Sequence, residues 1–319
     1  MPPWEPLEVD AALDAECQFV VTLGGFALEI AGAKLVTHER LPVPRFNFVQ
    51  ELGVGAERQS AFFERALDHY FQRALRPTFR VPIPTATHVE AGLRRFGFRP
   101  RTSPLVLMLD ERGGVPPAEP ASDVRPAQPS EIDLVASFWT GERERPEFRA
   151  ALEIAWNHPN PHEQLQPLLA YHRDRAIAAA LVYRHRSAAG IHGVATRPDA
   201  RGQGAASDLV RFVRAREPVG PGVRYSIFAD SPRLERRLRL LGFAPARSFA
   251  EYELPANAEL ALPPAGPAVP PRWRPPRSAT GPGAGGAHGP TTTTGGGSRA
   301  SFVARARRSS GSYRAPCRH

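Results

Sequence analysis

The sequence predicts an α+β protein built from two similar halves and followed by a tail that does not fold. Three observations carry this. Residues 188–196 are small, apolar and strand-like, 201–206 (RGQGAA) form a glycine turn, and Leu209, Val210, Phe212 and Val213 recur behind it at helical spacing. Leu93-Arg-Arg-Phe-Gly97-Phe98 resembles Leu238-Arg-Leu-Leu-Gly242-Phe243, and each follows a short strand and a helix. Beyond Leu262 the chain turns to Pro, Gly, Thr and Arg, with too few apolar side chains to offset the entropy of ordering.

In chain order, 18–23 and 26–30 read as apolar strands about Gly24-Gly25, a hairpin signal. Residues 34–38 extend that sheet, and 45–52 (RFNFVQEL) alternate like a strand. Residues 59–75 place Phe62, Phe63, Leu67, Tyr70 and Phe71 on one helical face. A strand at 78–81, a helix at 87–96 stopped by Gly97 and a strand at 105–109 complete the first half. The stretch 113–121 (GGVPPAEPA) reads as a linker. The second half begins near Asp123, with helices at 130–138 (Ser130 as N-cap) and 146–156, a hairpin about Asp174, the strand–turn–helix, a strand at 223–229 and a helix at 232–240.

Thr196-x-Pro198 followed by Arg201-Gly202-Gln203-Gly204-Ala205-Ala206 resembles the R-x-x-G-x-A signature of the GNAT N-acetyltransferase superfamily, and Leu241-Gly242-Phe243 resembles that family's terminal L-G-F. The resemblance implies two tandem domains with a mixed, mostly antiparallel sheet and flanking helices. It places a degenerate copy at 1–114 and an acyl-CoA-binding copy at 122–255, while composition leaves a disordered tail at 256–319. It also implies acetyl-CoA as co-substrate, no metal, and a small-molecule or peptide amine as acceptor. The amides of Gly202, Gln203, Gly204, Ala205 and Ala206 are expected on the pyrophosphate, with Arg201 as charge partner. Val194, Ala195 and Thr196 are expected along the pantetheine. Elementary chemistry agrees: glycines remove the Cβ atoms that block close approach, and a helix N-terminus attracts an anion.

The catalytic groups are read less directly. His192 enters the site on its strand and is read as a base, against a packed, hydrogen-bonded histidine. The family's tyrosine acid falls at Leu238, which donates nothing, so Tyr225, Ser231 or solvent is the expected substitute. Glu142, Glu144, Glu147 and Glu153 form either an acidic wall for an amine or a solvated helix face. The alternative function is a non-catalytic acyl-CoA sensor or scaffold. Gln50-Glu51-Leu52-Gly53-Val54-Gly55 matches the signature formally, yet Glu51 and Glu57 oppose a phosphate there, so no second site is expected.

Composition bounds the rest. The net charge of +9 sits almost wholly in 257–319, which holds nine arginines and one acid, Glu259. The near-neutral body argues against nucleic acid, except through the tail, where Trp273, Phe302 and Tyr313 lie among arginines. No apolar run approaches the roughly 20 residues that span a bilayer. Two distant cysteines, Cys17 and Cys317, and an acidic start without a leader pattern point to a soluble cytoplasmic protein.

Overall fold

The computed structural model describes residues 4–111, 120–140, 146–158, 163–215 and 224–255. Most of the expected linker, and the whole of the expected tail, lie outside them.

The chain opens with a helix, α1 (Pro6–Thr22), where the sequence pattern predicts the first arm of a hairpin at 18–23. Pro6 stands at the first helical position, and Glu5 and Glu8 cap the start reciprocally. Val9, Leu13, Cys17 and Val20 then bury one face at helical spacing. A six-residue apolar run fits either element, and only its continuation back to Pro6 decides for helix. Gly24-Gly25 therefore turns α1 into β1 (Phe26–Ile30). The hairpin to β2 (Ala33–Thr37) closes at Ala31-Gly32, both with positive φ.

β3 (Phe48–Gln50) is shorter than expected, because Pro44 starts a 3-10 turn over Pro44–Phe46. Then come α2 (Gln59–Phe71), β4 (Thr78–Pro82), α3 (Thr87–Arg95), the short β5 (Arg99–Pro100) and β6 (Leu105–Asp110). The second half holds β7 (Asp123–Pro126), α4 (Ile132–Thr140), α5 (Pro146–Trp156), β8 (Glu163–His172), β9 (Arg175–His185), β10 (Ala188–Thr196), α6 (Ala205–Ala215), β11 (Arg224–Ala229), α7 (Pro232–Leu240) and β12 (Phe243–Glu253). Ser130 is not the cap expected of it. Gln128 and Glu131 form a reciprocal capping box ahead of α4, because the glutamate carboxylate reaches back to the Gln128 N–H at 2.7 Å.

Among the described residues the twelve strands join one mixed, mostly antiparallel sheet with helices on both faces, in the order β1-β2-β3-β4-β12-β6-β11-β10-β9-β8-β7, with β5 beside β12. The order is symmetric about the β12–β6 pair. On one side β3 and β4 are parallel and joined through α2; on the other, β10 and β11 are parallel and joined through α6. After the next helix each half sends its last strand across: β6 pairs with β11, and β12 pairs with β4. The repeated sequence marks this crossing. Gly97 (φ +83°) ends α3 and Gly242 (φ +79°) ends α7, while Leu93, Phe98, Leu238 and Phe243 are all buried.

β9 lies deep and is apolar on both faces, which explains its unbroken run. Ala178, Ala180 and Val182 pack in one core cluster with Leu209 and Val210 of α6. The alternate residues Ala179, Leu181 and Tyr183 pack in another with Phe19 of α1, Val135 of α4 and Leu152 of α5. Among the described residues no helix is long and apolar enough to cross a membrane.

Candidate active site

β10 and β11 run parallel from Ala188↔Arg224 to Ile191↔Ile227 and pair no further. On its other edge β10 slips register against β9 between His192 and Ala195, so one extra residue bulges out at Gly193-Val194. Gly193 takes φ +57°, and its carbonyl accepts from the Trp139 indole N–H. A cleft of about 220 Å³ opens where the strands part, with Val194 on one wall, Ala206 and Val210 of α6 on another, and Leu234 and Arg237 of α7 behind. Parallel strands that stop pairing above a helix N-terminus leave just such a crevice at their carboxyl ends.

The glycine turn stands at the mouth. Gly202 (φ +83°) and Gly204 (φ +89°) both sit in the left-handed region, and no atom lies within 4 Å of where a Cβ would be on either. The glycines are thus needed for backbone conformation, and the space over them is open to a ligand. The Gly204 carbonyl accepts from the Ser207 and Asp208 amides, which makes Gly204 the N-cap and leaves the first amides of α6 facing outward. The Gln203 amide donates to the Ala200 carbonyl at 3.4 Å. Asp208, buried, accepts from the Ser122 amide and hydroxyl at 3.0 and 2.8 Å, tying the start of the second half to α6. Arg237 donates to Ser207 Oγ at 2.9 Å across the cleft. The sequence reading missed this cation; its place on α7, one residue before Leu238, was the available signal.

A second cavity, of about 180 Å³, meets the cleft at Gly193 and Arg45, which border both. Its walls are Phe19, Leu41, Phe46, Trp139, Phe148 and Leu181. Phe46 stacks near Phe148 at 6.3 Å, and Trp139 lies 5.7 Å from Phe148. Both halves build it: α1 and residues 41–46 on one side, α4, α5 and β9 on the other.

His192 borders this cavity but commits its ring elsewhere. It lies flat on Phe19, with centroids 3.9 Å apart, and its Nδ1 is 3.1 Å from Oε2 of Glu16 on α1. Its Nε2 has no hydrogen-bond partner among the described residues and lies over Gly190, where a methyl would overlap it. Glu16 also faces Arg80 Nη1 at 3.4 Å, and Arg80 Nε lies 3.3 Å from Glu251, which takes Arg101 Nη1 at 2.8 Å. Burial pushes the Glu16 carboxyl up, but His192, Arg80 and Arg45 outweigh it and bring it down to about 2. Of this chain of charges the sequence analysis named His192 alone.

The other expected catalytic residues are not brought together. Tyr225 lies at the paired end of β11 and lines a different cavity, with Val182, Arg184 and Phe212. The cleft begins two residues later, beyond Ile227. Ser231 caps α7: its Oγ accepts the Leu234 amide at 3.3 Å. Of the four glutamates, Glu142 and Glu144 lie outside the described residues, and Glu153 pairs with Arg149 at 2.9 Å on an exposed helix face.

The turn of the first half differs from that of the second. Glu51, not a glycine, takes the positive φ (59°), and it pairs with Lys34 at 3.4 Å. The space over Gly53, the counterpart of Gly204, is open as well, but the Glu57 carboxylate lies over Gly55 two residues on.

Residues 130–230 match the family model described as Acetyltransferase (GNAT) family, which spans α4 to the end of β11 and so includes the bulge, the turn and α6. That segment is similar to a GNAT domain. Solved structures with this fold include a GCN5-related N-acetyltransferase from Kribbella flavida (17% identity, TM-score 0.58, covering 77% of this chain and 95% of that one). Another is a GCN5-related N-acetyltransferase from Sphaerobacter thermophilus (15% identity, TM-score 0.52, 70% and 77%). A functionally unknown conserved protein from Staphylococcus epidermidis is similar as well (12% identity, TM-score 0.51, 73% and 95%). No curated protein matches the chain. The GNAT sheet thus covers most of the described residues, beyond the segment that the family model matches.

Proposed function

We propose that the protein is an acyltransferase that moves an acetyl group from acetyl-CoA to the amine of a small molecule or peptide. The observation that carries this is the meeting of the two cavities at Gly193, beside a helix-capping glycine turn with open space over it. The amides of Gly204, Ala205 and Ala206, with Arg201 and Arg237, hold the pyrophosphate by charge-assisted hydrogen bonds. The bulge frees backbone at Val194 and Ala195 to meet the pantetheine and to polarise the thioester carbonyl, with Thr196 further along the same strand. The amine nitrogen reaches the acyl carbon from the aromatic cavity; the N–C bond forms as the C–S bond breaks. Arg45 beside that point disfavours a bound ammonium and so favours the neutral, nucleophilic amine. The amine's proton leaves to water, and the thiolate takes one back from water. With Ser231 capping a helix and Tyr225 in another cavity, neither is assigned the acid, and His192 is assigned an indirect part through Glu16.

The reading includes two halves, 1–114 and 122–255, with the CoA site in the second only and the tail outside it, in a cytoplasmic protein without a metal. The carboxylate over Gly55 supports the single site. A second reading, an acyl-CoA sensor without turnover, is favoured by Leu238, buried where the family's tyrosine acid is expected. Calorimetry with acetyl-CoA tests the shared part: one site per chain is expected, and none or two equivalent sites overturns it. Release of free CoA on adding an amine separates the enzyme from the sensor.

A further inference from the structure

We infer that the acceptor is an α-amino acid with a phenyl-sized or branched apolar side chain, an inference that rests on the acyltransferase reading. The cavity beyond Gly193 is about 180 Å³ and is walled by Phe19, Leu41, Phe46, Trp139, Phe148 and Leu181. A dry apolar cavity of about 150 Å³ takes a benzene ring, so this one holds a phenyl group with its methylene. No Asp or Glu lines it, so it offers nothing to a second ammonium: polyamines and the far end of a lysine side chain would bury an unpaired charge there.

The cation at the mouth supplies the rest. Arg45 borders both cavities, is exposed, and has no carboxylate within ion-pairing distance among the described residues. Glu16 lies beneath, but its charge is already shared between His192 and Arg80. A carboxylate on the Arg45 guanidinium, with a ring in the cavity, leaves the amine of the same α-carbon beside Gly193. That is where the bulge turns the chain toward the acyl cleft. Ring, carboxylate and amine of one small molecule thus meet three features that the fold has brought to one place. The first half supplies two of them, Phe19 with Phe46 and Arg45, which assigns it a share of the acceptor site.

The test uses the full chain with acetyl-CoA and follows free CoA. The probes are L-phenylalanine, 2-phenylethylamine (no carboxylate), L-alanine (no ring) and spermidine. L-Phenylalanine is expected to exceed each of the others in kcat/KM by about tenfold or more, the worth of one charge-assisted hydrogen bond or of the buried ring. Arg45→Met should bring L-phenylalanine down to 2-phenylethylamine while the variant melts like the parent; Arg45→Lys should restore part of the gap. Equal rates for L-phenylalanine and 2-phenylethylamine in the parent protein, or preference for spermidine or L-alanine, overturn the inference. So does the absence of transfer to any probe when calorimetry still finds one acetyl-CoA site. Failure to bind acetyl-CoA at all instead removes the acyltransferase reading itself.

Discussion

Glu16 meets His192 at 3.1 Å, joining the first helix of the chain to the strand that carries the bulge. Both are buried, and Arg80 sits on the other side of the carboxylate at 3.4 Å. The carboxyl is held at about 2, below its ordinary 4.5. A carboxylate depressed in the folded state contributes stability above its unfolded pKa and loses it as the pH falls through the folded one. The window is therefore about pH 4.5 down to 2, and the full contribution is on the order of 3 kcal/mol. Glu16→Gln should be less stable than the parent at pH 6, and the gap should close as the pH falls toward 2. Urea unfolding at a series of pH values reads this; a gap that does not change with pH would show that the ion pair adds nothing.

Gly204→Glu should lose acetyl-CoA binding by about a hundredfold or more while remaining folded. The new carboxylate enters the open space over the turn and repels the pyrophosphate, and removing one charge-assisted hydrogen bond costs about 1.5 to 3 kcal/mol. The φ of +89° adds about 1 to 2 kcal/mol of strain, so a modest fall in melting temperature is expected too. Gly204→Ala controls for the strain alone and should keep most of the affinity. Native affinity in Gly204→Glu sinks the assignment of this turn.

Gly193→Ala should disturb the junction of the two cavities. The position has positive φ, and a methyl there would overlap the Trp139 indole. The cost is expected at about 1 to 3 kcal/mol. Displacing Trp139 should also shift the tryptophan emission and raise KM for the acceptor. An unchanged emission spectrum and an unchanged KM would show that the bulge tolerates a side chain.

Neither half should fold alone. Each lacks the strand that the other half sends it, and a fragment of residues 1–114 or 120–255 would expose the edges of β4 or β11 to solvent and to aggregation. Co-expression of the two fragments should reconstitute a soluble complex, and residues 1–255 should unfold in one transition. Two separate melting steps, or a soluble folded fragment, would contradict this.

Much of the frame was legible because it is local. Gly202, Gly204, Gly97 and Gly242 are written into short stretches where chain direction changes, and each takes the positive φ that glycine allows. The repeat of Leu93-x-x-x-Gly97-Phe98 in Leu238-x-x-x-Gly242-Phe243 marked two halves of like order. Where local pattern was ambiguous the reading failed: the run before Gly24 fits a strand or a helix, and a start at Pro6, twelve residues before the run's first residue, decided it.

By itself, then, the sequence determined the strand–turn–helix with its glycines, the two-fold repeat and the location of the positive charge, since each depends on neighbours within a turn or two of chain. Tertiary structure alone decided that the last strands change places, that Ser231 caps α7 and Tyr225 lines another cavity, and that Phe19, Arg45 and Phe46 of one half face Trp139 and Gly193 of the other. The physical reason is that such pairings are selected by the burial of whole faces and the neutralisation of buried charge. Glu16, Arg80, His192 and Glu251 each look ordinary among their sequence neighbours, and they acquire partners only when a helix and three strands from distant parts of the chain close over them.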